Sequence, residues 1–599
     1  MEIDKIKEKY IKAAEDFSIL AAKEEKLLIL LSALRFLSFA GGFTIIWLLF
    51  TVNIVAGFLS VLAVIILFFY LLKMYSVHSD RKDFFNNLSD INRNEANAVS
   101  GNLSSFEAGN SYIDTGHDFS HDVDLFGTSS LFQYLNRTIT GYGRDILAGW
   151  ISDPFSLSQK LILRQEVVRE LAGKEKWRQE FMASGMKKPL EKSDVTSLLK
   201  WIGEDGFVKS SPFRKILIYA LPTVTILSLL MLISGILPYS VFIFLFFMNL
   251  FFIALGLKKT NGIHDALSRK YKYLSSMNVL LKSFEDESFT SQLLTDIKIN
   301  ISGGKETAAV SVSRLSRLIQ AFDSRMNLLV GFVLNGLLLW DYHCVYKLEK
   351  WKTEYRELFP AWLEMLGQVD AYISLGNYAY NNQNFKYPVI SDNYLLSARD
   401  MGHPLIEEKE RVCNDFVLEK HGHLCIISGA NMAGKSTFLR TVAVNFILAM
   451  GGAPVCASEM RFTPVKLFTS MRTTDSLSGN ESYFYAELKR LKMLKMRIEK
   501  KDPVLFILDE ILKGTNSADK SLGSKLFLKR LVELGGSGMI ATHDTSLGEM
   551  ENDFPGVVTN KCFEIEICGD QIKFDYKLQN GITHTMNAAL LMKQMGIID

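Results

Sequence analysis

Two long stretches of the chain contain no charged residue, and they limit the folds that the sequence can adopt. The first runs from Phe36 to Leu72 and the second from Ile216 to Leu257. One helix needs only ~20 residues to cross a ~30 Å hydrocarbon core, whereas a single helix of the first stretch would be about 55 Å long. Charge-free helices of this length are not typical of a water-soluble core, so we interpret both stretches as membrane-spanning.

Each stretch contains a break that divides it into two helices. The polar triplet "TVN" lies at 51–53, and "SGILPYS" at 234–240 contains a glycine and a proline that indicate a turn. We therefore predict about four transmembrane helices in two hairpins, with the first two helices at roughly 28–50 and 54–73. Arg35 lies in the first helix, where it either snorkels or faces a partner.

Basic residues flank both hairpins, which predicts their orientation. They are Lys23, Lys26, Lys73, Lys209, Arg214, Lys215, Lys258 and Lys259. By the positive-inside rule, both hairpins begin and end in the cytoplasm. The expected location is the cytoplasmic (inner) membrane, in a multi-pass arrangement with both termini in the cytoplasm.

Composition sets broader limits. A length of 599 residues predicts several domains, and a net charge of +2 with a pI near 8.0 gives no basic excess typical of nucleic-acid binding. The six cysteines have no C-x-x-C spacing, which favours reduced thiols in a cytosolic compartment. The charged, helical N-terminus predicts no cleavable signal peptide.

A phosphate-binding loop is predicted in "ISGANMAGKSTFLR", residues 427–440. Its G-x-x-x-x-G-K-[ST] spacing stands between an apolar strand pattern and a helix pattern, the context that separates this motif from a chance glycine-rich turn. Backbone N–H groups would surround the phosphates, Lys435 would reach the β- and γ-phosphates, and the Ser436 hydroxyl would bind Mg²⁺. The candidate ATP-binding residues are Gly429, Ala430, Asn431, Met432, Ala433, Gly434, Lys435, Ser436 and Thr437.

Two later strand patterns supply the groups that hydrolysis requires. "PVLFILDE", 503–510, ends in Asp509, a candidate Mg²⁺ ligand, and Glu510, a candidate for polarising the attacking water. "GMIATHD", 538–544, contains His543, which would contact the γ-phosphate. With Lys435, these residues predict a Mg²⁺-dependent ATP hydrolase.

The order and spacing of these motifs resemble the ATPase domain of the MutS mismatch-repair family. The matching strings are "GANMAGKSTFLRT", "SLSGNESYFYAEL", "LFILDEILKGTNSADK" and "MIATHD", followed by the tail "YKLQNGITHTMNAALLMKQMGI". The regions 129–171 and 369–390 resemble the beginning and end of the family's core or lever domain. The resemblance covers roughly 124–208 and 260–599.

The resemblance implies an α/β P-loop ATPase domain of the ABC/MutS type and an all-α core or lever domain. We expect an N-terminal cytoplasmic helix at 1–26, hairpins at 27–73 and 209–258, a linker at 74–123, a core in two parts at 124–208 and 259–400, and the ATPase domain at 401–599.

The family also implies a homodimer in which a serine before the second motif completes the partner's ATP site. Ser482 occupies that place, Ser478 is a second candidate, and an ordinary helix N-cap is the alternative for either. Asp519 matches an interface aspartate. The sequence departs from the family pattern at Leu512-Lys513, where Gly-Arg is usual, and at Tyr483, where Thr is usual.

Two functions remain open. The family favours an ATPase in DNA mismatch repair or recombination, whereas the second hairpin occupies the place of the family's DNA clamp and no mismatch-reading domain is recognised. The alternative is a membrane-remodelling or transport-like ATPase that acts on a membrane partner without DNA. In both cases ATP would drive a lever motion in a dimer.

Two further segments are rich in charged residues. "KRLKMLKMRIEKK", 489–501, predicts an amphipathic helix that packs on its own domain through Leu488, Leu491, Leu494 and Ile498. "DTGHDFSHDVDLFG", 114–127, is rich in His and Asp, so a metal site is the alternative to a polar linker there.

Overall fold

Helices dominate the first two thirds of the chain, and strands enter only after residue 388. The computed structural model describes residues 2–154, 158–187, 192–209, 211–268, 270–392, 395–419, 422–472, 483–568 and 571–583. The helices are α1 (Glu2–Val52), α2 (Ile54–Val99), α3 (Leu131–Leu135), α4 (Gly141–Ser152), α5 (Ser158–Gly173), α6 (Glu175–Met186), α7 (Lys192–Gly203), α8 (Pro212–Ile233), α9 (Tyr239–Leu267), α10 (Tyr271–Asp286), α11 (Gln292–Ser302), α12 (Ala308–Asp323), α13 (Leu328–Leu338), α14 (Trp340–Tyr355), α15 (Leu358–Asn381), α16 (Lys435–Gly451), α17 (Tyr483–Glu499), α18 (Ser517–Glu533) and α19 (Met550–Asp553). The strands are β1 (Val389–Ile390), β2 (Leu396–Met401), β3 (Asn414–Leu418), β4 (Leu424–Gly429), β5 (Glu459–Phe462), β6 (Lys466–Ser470), β7 (Val504–Asp509), β8 (Ser537–Thr542), β9 (Val558–Cys568) and β10 (Gln571–Asn580).

The chain divides into two units, each made of three segments. The first comprises Met1–Ala96, Thr138–Arg144 and Lys176–Ala371. The second comprises Asn97–Arg137, Asp145–Glu175 and Tyr372–Asp599. The domain boundaries expected from the sequence remain predictions.

In the first unit, α1 and α2 form an antiparallel hairpin around Asn53. The Asn53 side chain accepts a hydrogen bond from the Val55 N–H (2.8 Å), which caps α2 at the break expected at 51–53. Arg35 places its guanidinium over the Tyr75 ring, 5.1 Å from the centroid, so it faces the partner helix. Helix α2 also continues through residues 74–99, part of the stretch expected to be a linker, because polar contacts such as His78–Glu24 join it to α1.

The second apolar stretch forms α8 and α9, separated by the turn at 234–238 as predicted. By length and composition, α1, α2, α8 and α9 could each cross a membrane. Their large apolar side chains point mostly outward, with Trp47 62% and Phe244 68% exposed. A further apolar helix, α13, was not expected from the sequence. It meets α14 at a bend of 80°.

The rest of the first unit is a helical bundle in which α12 packs between α10 and α14. Its core contains Met277, Leu281, Leu315, Phe322 and Trp351, each at most 1% exposed. Burial of aromatic and branched side chains on this scale holds such a bundle together.

The second unit contains two sheets. The larger has the strand order β10-β9-β4-β8-β7-β6, in which β4 pairs in parallel with both β8 and β9, and β7 with both β6 and β8. The central strands β4 and β8 are buried along their whole length, as expected for a parallel sheet covered on both faces. A smaller sheet has the order β1-β5-β2-β3.

Helix α17 packs against the larger sheet through the predicted apolar positions, with one exception. Leu491, Leu494 and Ile498 are buried in a core shared with Phe506 of β7. Leu488 is 38% exposed, so its assignment to the packed face was wrong. Residues 488 and 491 are three apart, about 300° around a helix, which places Leu488 at the margin of the buried stripe.

Candidate functional site

The loop between β4 and α16 has the strand–loop–helix form expected from its sequence. Met432 and Gly434 adopt φ angles of +64° and +101°, which fold the loop tightly before the first turn of α16. Left-handed backbone costs glycine little, which explains the glycine directly before the helix. Inside the loop, the Lys435 Nζ donates to the carbonyl oxygens of Gly429 and Ala430, both at 2.8 Å.

The carboxyl ends of β7 and β8 bring the other candidate groups to this loop. The Ser436 hydroxyl donates to Asp509 Oδ2 at 2.6 Å. Glu510 follows β7, and its Oε1 lies 2.5 Å from His543 Nε2. Both ring nitrogens of His543 lie 3.3 Å from Lys435 Nζ. Residues more than 100 positions apart therefore meet at one edge of the sheet.

The pKa values of two of these groups, Lys435 and Glu510, are both lowered, for different reasons. Desolvation lowers the pKa of Lys435 to about 8, although Glu510 and Asp509 oppose the shift. The hydrogen bond from His543 is the main cause that lowers the pKa of Glu510 to about 2. Glu510 is thus an anion at neutral pH, the state that a water-orienting base requires. The lysine lies where added anionic charge would favour its protonated form.

These groups line one cavity of about 670 Å³. Among the predicted residues, its walls contain Asn431, Met432, Ala433, Gly434, Lys435, Ser436, Thr437, Asp509, Glu510 and His543. Gly429 and Ala430 contribute through the carbonyls that hold Lys435.

The sequence did not indicate the opposite wall of this cavity. It includes Tyr576, whose ring is close enough to Gly434 that a Cβ there would lie 3.0 Å from Cδ1. Asn414 fixes the tyrosine's position, because its amide donates to the Tyr576 carbonyl at 3.0 Å and its oxygen accepts from the Leu578 N–H at 2.8 Å. Tyr576 has a φ of +56° and is 43% exposed, and its ring stacks on that of Phe574 with the centroids 5.9 Å apart.

Other predicted positions lie elsewhere. Ser482 and Ser478 fall outside the described residues, and the Tyr483 side chain is likewise not described. Asp519 is not among the cavity-lining residues; its backbone N–H donates to the side chain of Asn516 at 2.9 Å in the first turn of α18. Its expected interface role stays a prediction.

Leu512-Lys513, where the sequence departs from the family pattern, lies in a turn that is held by two hydrogen bonds. Leu512 adopts a φ of +61°, a conformation that glycine would adopt without strain. The buried Glu487 carboxylate accepts from the N–H groups of Leu512 (2.6 Å) and Lys513 (3.2 Å). These two hydrogen bonds hold the turn that follows Glu510.

The acidic segment, residues 114–127, makes polar contacts with α17 and with the end of β6. Asp118 makes a bidentate ion pair with Arg497 of α17, at 2.5 and 2.8 Å. The buried Asp122 accepts from the Thr469 hydroxyl (2.5 Å) and the Arg472 N–H (2.8 Å) at the end of β6. Asp118 and Asp122 thus pair with Arg497 and Arg490, and no group of three or more His, Cys, Asp or Glu arranged for a metal ion is found among the described residues.

A lysine, a serine, two carboxylates and a histidine thus lie together at the carboxyl edge of a largely parallel sheet. This arrangement is typical of a nucleotide-binding α/β protein. Residues 425–594 match the family model described as MutS domain V. Over this region the chain is similar to MutS domain V.

Curated proteins of the MutS type are also similar to this chain in sequence. The DNA mismatch repair protein MutS of Thermotoga maritima is 30% identical over 250 residues, which is 41% of this chain and 31% of that protein. The DNA mismatch repair protein MSH4 of Arabidopsis thaliana is 27% identical over 217 residues, 35% of this chain and 27% of that protein. The chain thus spans about a third of the length of these relatives.

Proposed function

We propose that the chain is a membrane-anchored MutS-type ATPase that binds and hydrolyses ATP in the cavity between the β4–α16 loop and the ends of β7 and β8. The observation that carries this proposal is the convergence of Lys435, Ser436, Asp509, Glu510 and His543 on that cavity. The match of residues 425–594 to MutS domain V supports it independently.

Each of these groups has a part in phosphoryl transfer. The Lys435 ammonium, lying between two loop carbonyls, meets the β- and γ-phosphates. The ionised Glu510 orients the attacking water, and His543 lies between Glu510 and Lys435, where it contacts the γ-phosphate. Ser436 and Asp509 are adjacent oxygen donors of the type that Mg²⁺ prefers, and that ion would neutralise phosphate charge.

Tyr576 is proposed to stack on the adenine base. Tyr576→Ala should weaken ATP binding roughly 5- to 150-fold, since stacking of a base on an aromatic ring contributes about 1–3 kcal/mol. Tyr576→Phe should bind like the unchanged protein. Calorimetric titration would measure both affinities, with inorganic triphosphate as the second ligand. If Tyr576→Ala weakens triphosphate as strongly as ATP, the residue supports the loop and does not contact the base.

The four apolar helices are proposed to form two membrane hairpins, with both termini and the ATPase unit in the cytoplasm. The support is their length, their hydropathy and the outward direction of their large apolar side chains. The full chain should therefore remain with membranes through high-salt and carbonate washes. A tag at either terminus should be cut by protease only from the cytoplasmic side.

Recovery of the full chain in the soluble fraction without detergent would contradict the membrane proposal. Protection of either terminal tag in right-side-out vesicles is the expected companion result, and its cleavage there would contradict the orientation.

ATP is proposed to act within a homodimer, in which Ser482 reaches the partner's ATP and the helical unit acts as the lever. The relatives' names add a candidate substrate, since both are DNA mismatch repair proteins. The apolar hairpin that interrupts the helical unit favours the other candidate, a membrane partner moved or remodelled without DNA.

Duplex binding by the detergent-solubilised protein separates these two candidates. We expect less than roughly tenfold preference for a mismatched over a perfect duplex, about 1.4 kcal/mol, because no mismatch-reading domain is recognised. Fluorescence anisotropy at several salt concentrations would measure it. Affinity that falls steeply with salt would favour the DNA role, since each neutralised phosphate contributes to that slope. Preference above tenfold would refute the expectation.

A further inference from the structure

Helix α13 is short, free of charge and exposed. Its sequence, LLVGFVLNGLL, contains no ionisable residue. Leu328 and Leu329 are 83% and 75% exposed, and Phe332 and Val333 are each 48% exposed. Exposed apolar side chains in this number on one short helix mark a surface that contacts something apolar.

The helix is fixed to the second predicted hairpin by buried polar contacts. Asn249 of α9, fully buried, donates to the carbonyl of Gly336 in α13 at 2.8 Å and to the Thr225 hydroxyl of α8 at 3.0 Å. A Cβ on Gly336 would overlap the Phe246 ring, so this aromatic side chain of α9 packs directly on the backbone of α13. Small residues and buried amides of this kind join helices inside membranes. Helix α13 therefore packs together with α8 and α9.

The chain bends by 80° directly after α13 and returns toward the residues that precede the helix. An 11-residue helix is about 16 Å long, half of a ~30 Å hydrocarbon core. Arg325, before the helix, pairs with Asp341, after it, at 3.1 Å. Since these two charged flanks touch, the helix cannot have carried the chain to the far side.

Polar groups at the bend after α13 find their hydrogen-bond partners within the protein. Leu339 adopts a φ of +50°, and the Asn335 side chain accepts from the Asp341 N–H at 2.9 Å. The Trp340 indole N–H donates to the Ala321 carbonyl at 3.0 Å. Irregular backbone near lipid requires such internal partners, because lipid offers none.

We propose that α13 is a re-entrant helix that inserts into the cytoplasmic leaflet beside α8 and α9, with its exposed face against lipid acyl chains. Lipid is the occupant that fits, because this apolar face lies on a helix that is joined to α8 and α9, the helices proposed to cross the bilayer. Helix α9 also exposes large apolar side chains on the face turned away from α13, with Phe244 68% and Phe251 62% exposed. This inference rests on the proposed membrane insertion of α8 and α9.

Depth-dependent quenching in the full-length protein tests it. Leu329→Cys would be labelled with an environment-sensitive fluorophore and reconstituted into phosphatidylcholine–phosphatidylglycerol nanodiscs. These would contain lipids with a nitroxide at the headgroup, at a shallow acyl carbon or at a deep acyl carbon. Two matched variants accompany it: Phe244→Cys on α9, and Ile299→Cys on α11, whose residue is 60% exposed. The unchanged chain, labelled in parallel, gives the background from native cysteines.

We expect the shallow acyl nitroxide to quench the label at position 329 at least twofold, more than the deep one does. The label at 244 should also be quenched by acyl nitroxides, and the label at 299 should not. Quenching at 329 no greater than at 299, with 244 quenched, would overturn the re-entrant assignment alone. If 244 is not quenched either, the membrane proposal fails with it. Energy transfer between labelled copies at 329 without lipid quenching would identify a second copy as the occupant and also overturn the proposal.

Discussion

Glu510→Gln should reduce steady-state ATP turnover by about 10²- to 10⁴-fold while leaving ATP binding nearly unchanged. The amide keeps the shape of the side chain but cannot act as the anionic acceptor that orients water. The hydrogen bond from His543, which lowers the pKa of Glu510 to about 2, favours the charged carboxylate at neutral pH. Phosphate release and equilibrium ATP binding, measured on the same preparation, would separate the two effects.

The same variant tests the homodimer. Because ATP would persist in the site, Glu510→Gln should accumulate as an ATP-bound dimer, detected as a doubled mass by light scattering in detergent. Glu549→Gln is a matched control, since that side chain is 68% exposed and pairs only at a distance of 3.5 Å with Lys525. The control should keep normal turnover. Turnover above one tenth of normal in Glu510→Gln would exclude Glu510 as the water-orienting base.

Asp122→Ala should destabilise the second unit by about 3–5 kcal/mol, because removing one partner leaves buried groups uncompensated. Asp122 is 2% exposed and accepts from the Thr469 hydroxyl and from the N–H groups of Met471 and Arg472. The second unit contains roughly 300 residues, and at about 2.1 cal/mol/K of unfolding entropy per residue this corresponds to a fall of roughly 5–8 °C in the midpoint of thermal unfolding.

Scanning fluorimetry in detergent would measure that midpoint. Asp114→Ala, an exposed aspartate of the same acidic segment, should shift it by only a degree or two, since roughly 0.5 kcal/mol is typical of surface changes. Equal shifts in the two variants would mean that the contacts at the end of β6 contribute nothing specific.

Local sequence patterns were sufficient to predict some features of the fold. The strand–loop–helix around Lys435, the break at Asn53 and the turn at 234–238 all follow from residues close together in sequence. Glycine, proline and polar interruptions act on the backbone where they stand, so their effects can be predicted without a partner.

Other features depend on partners far away in the chain. Tyr576 reaches the cavity from a strand more than 130 residues after the loop, and no local spacing identifies it. Asp122 and Thr469 are 347 positions apart, so a cluster of His and Asp could equally have suggested a metal site. Helix α13 was missed because 11 residues are too few to satisfy a membrane-span criterion.

The single non-helical residue between α1 and α2 has a practical consequence for mapping topology. Proteases and inserted epitopes act best on extended, accessible loop tips. If the hairpins cross as proposed, the outer surface presents only the corner at Asn53 and the five residues 234–238. Reporters placed there would disturb the helix ends that they are meant to locate. Small thiol reagents that cannot cross the membrane, directed at Asn53→Cys, suit this protein better than epitope insertion.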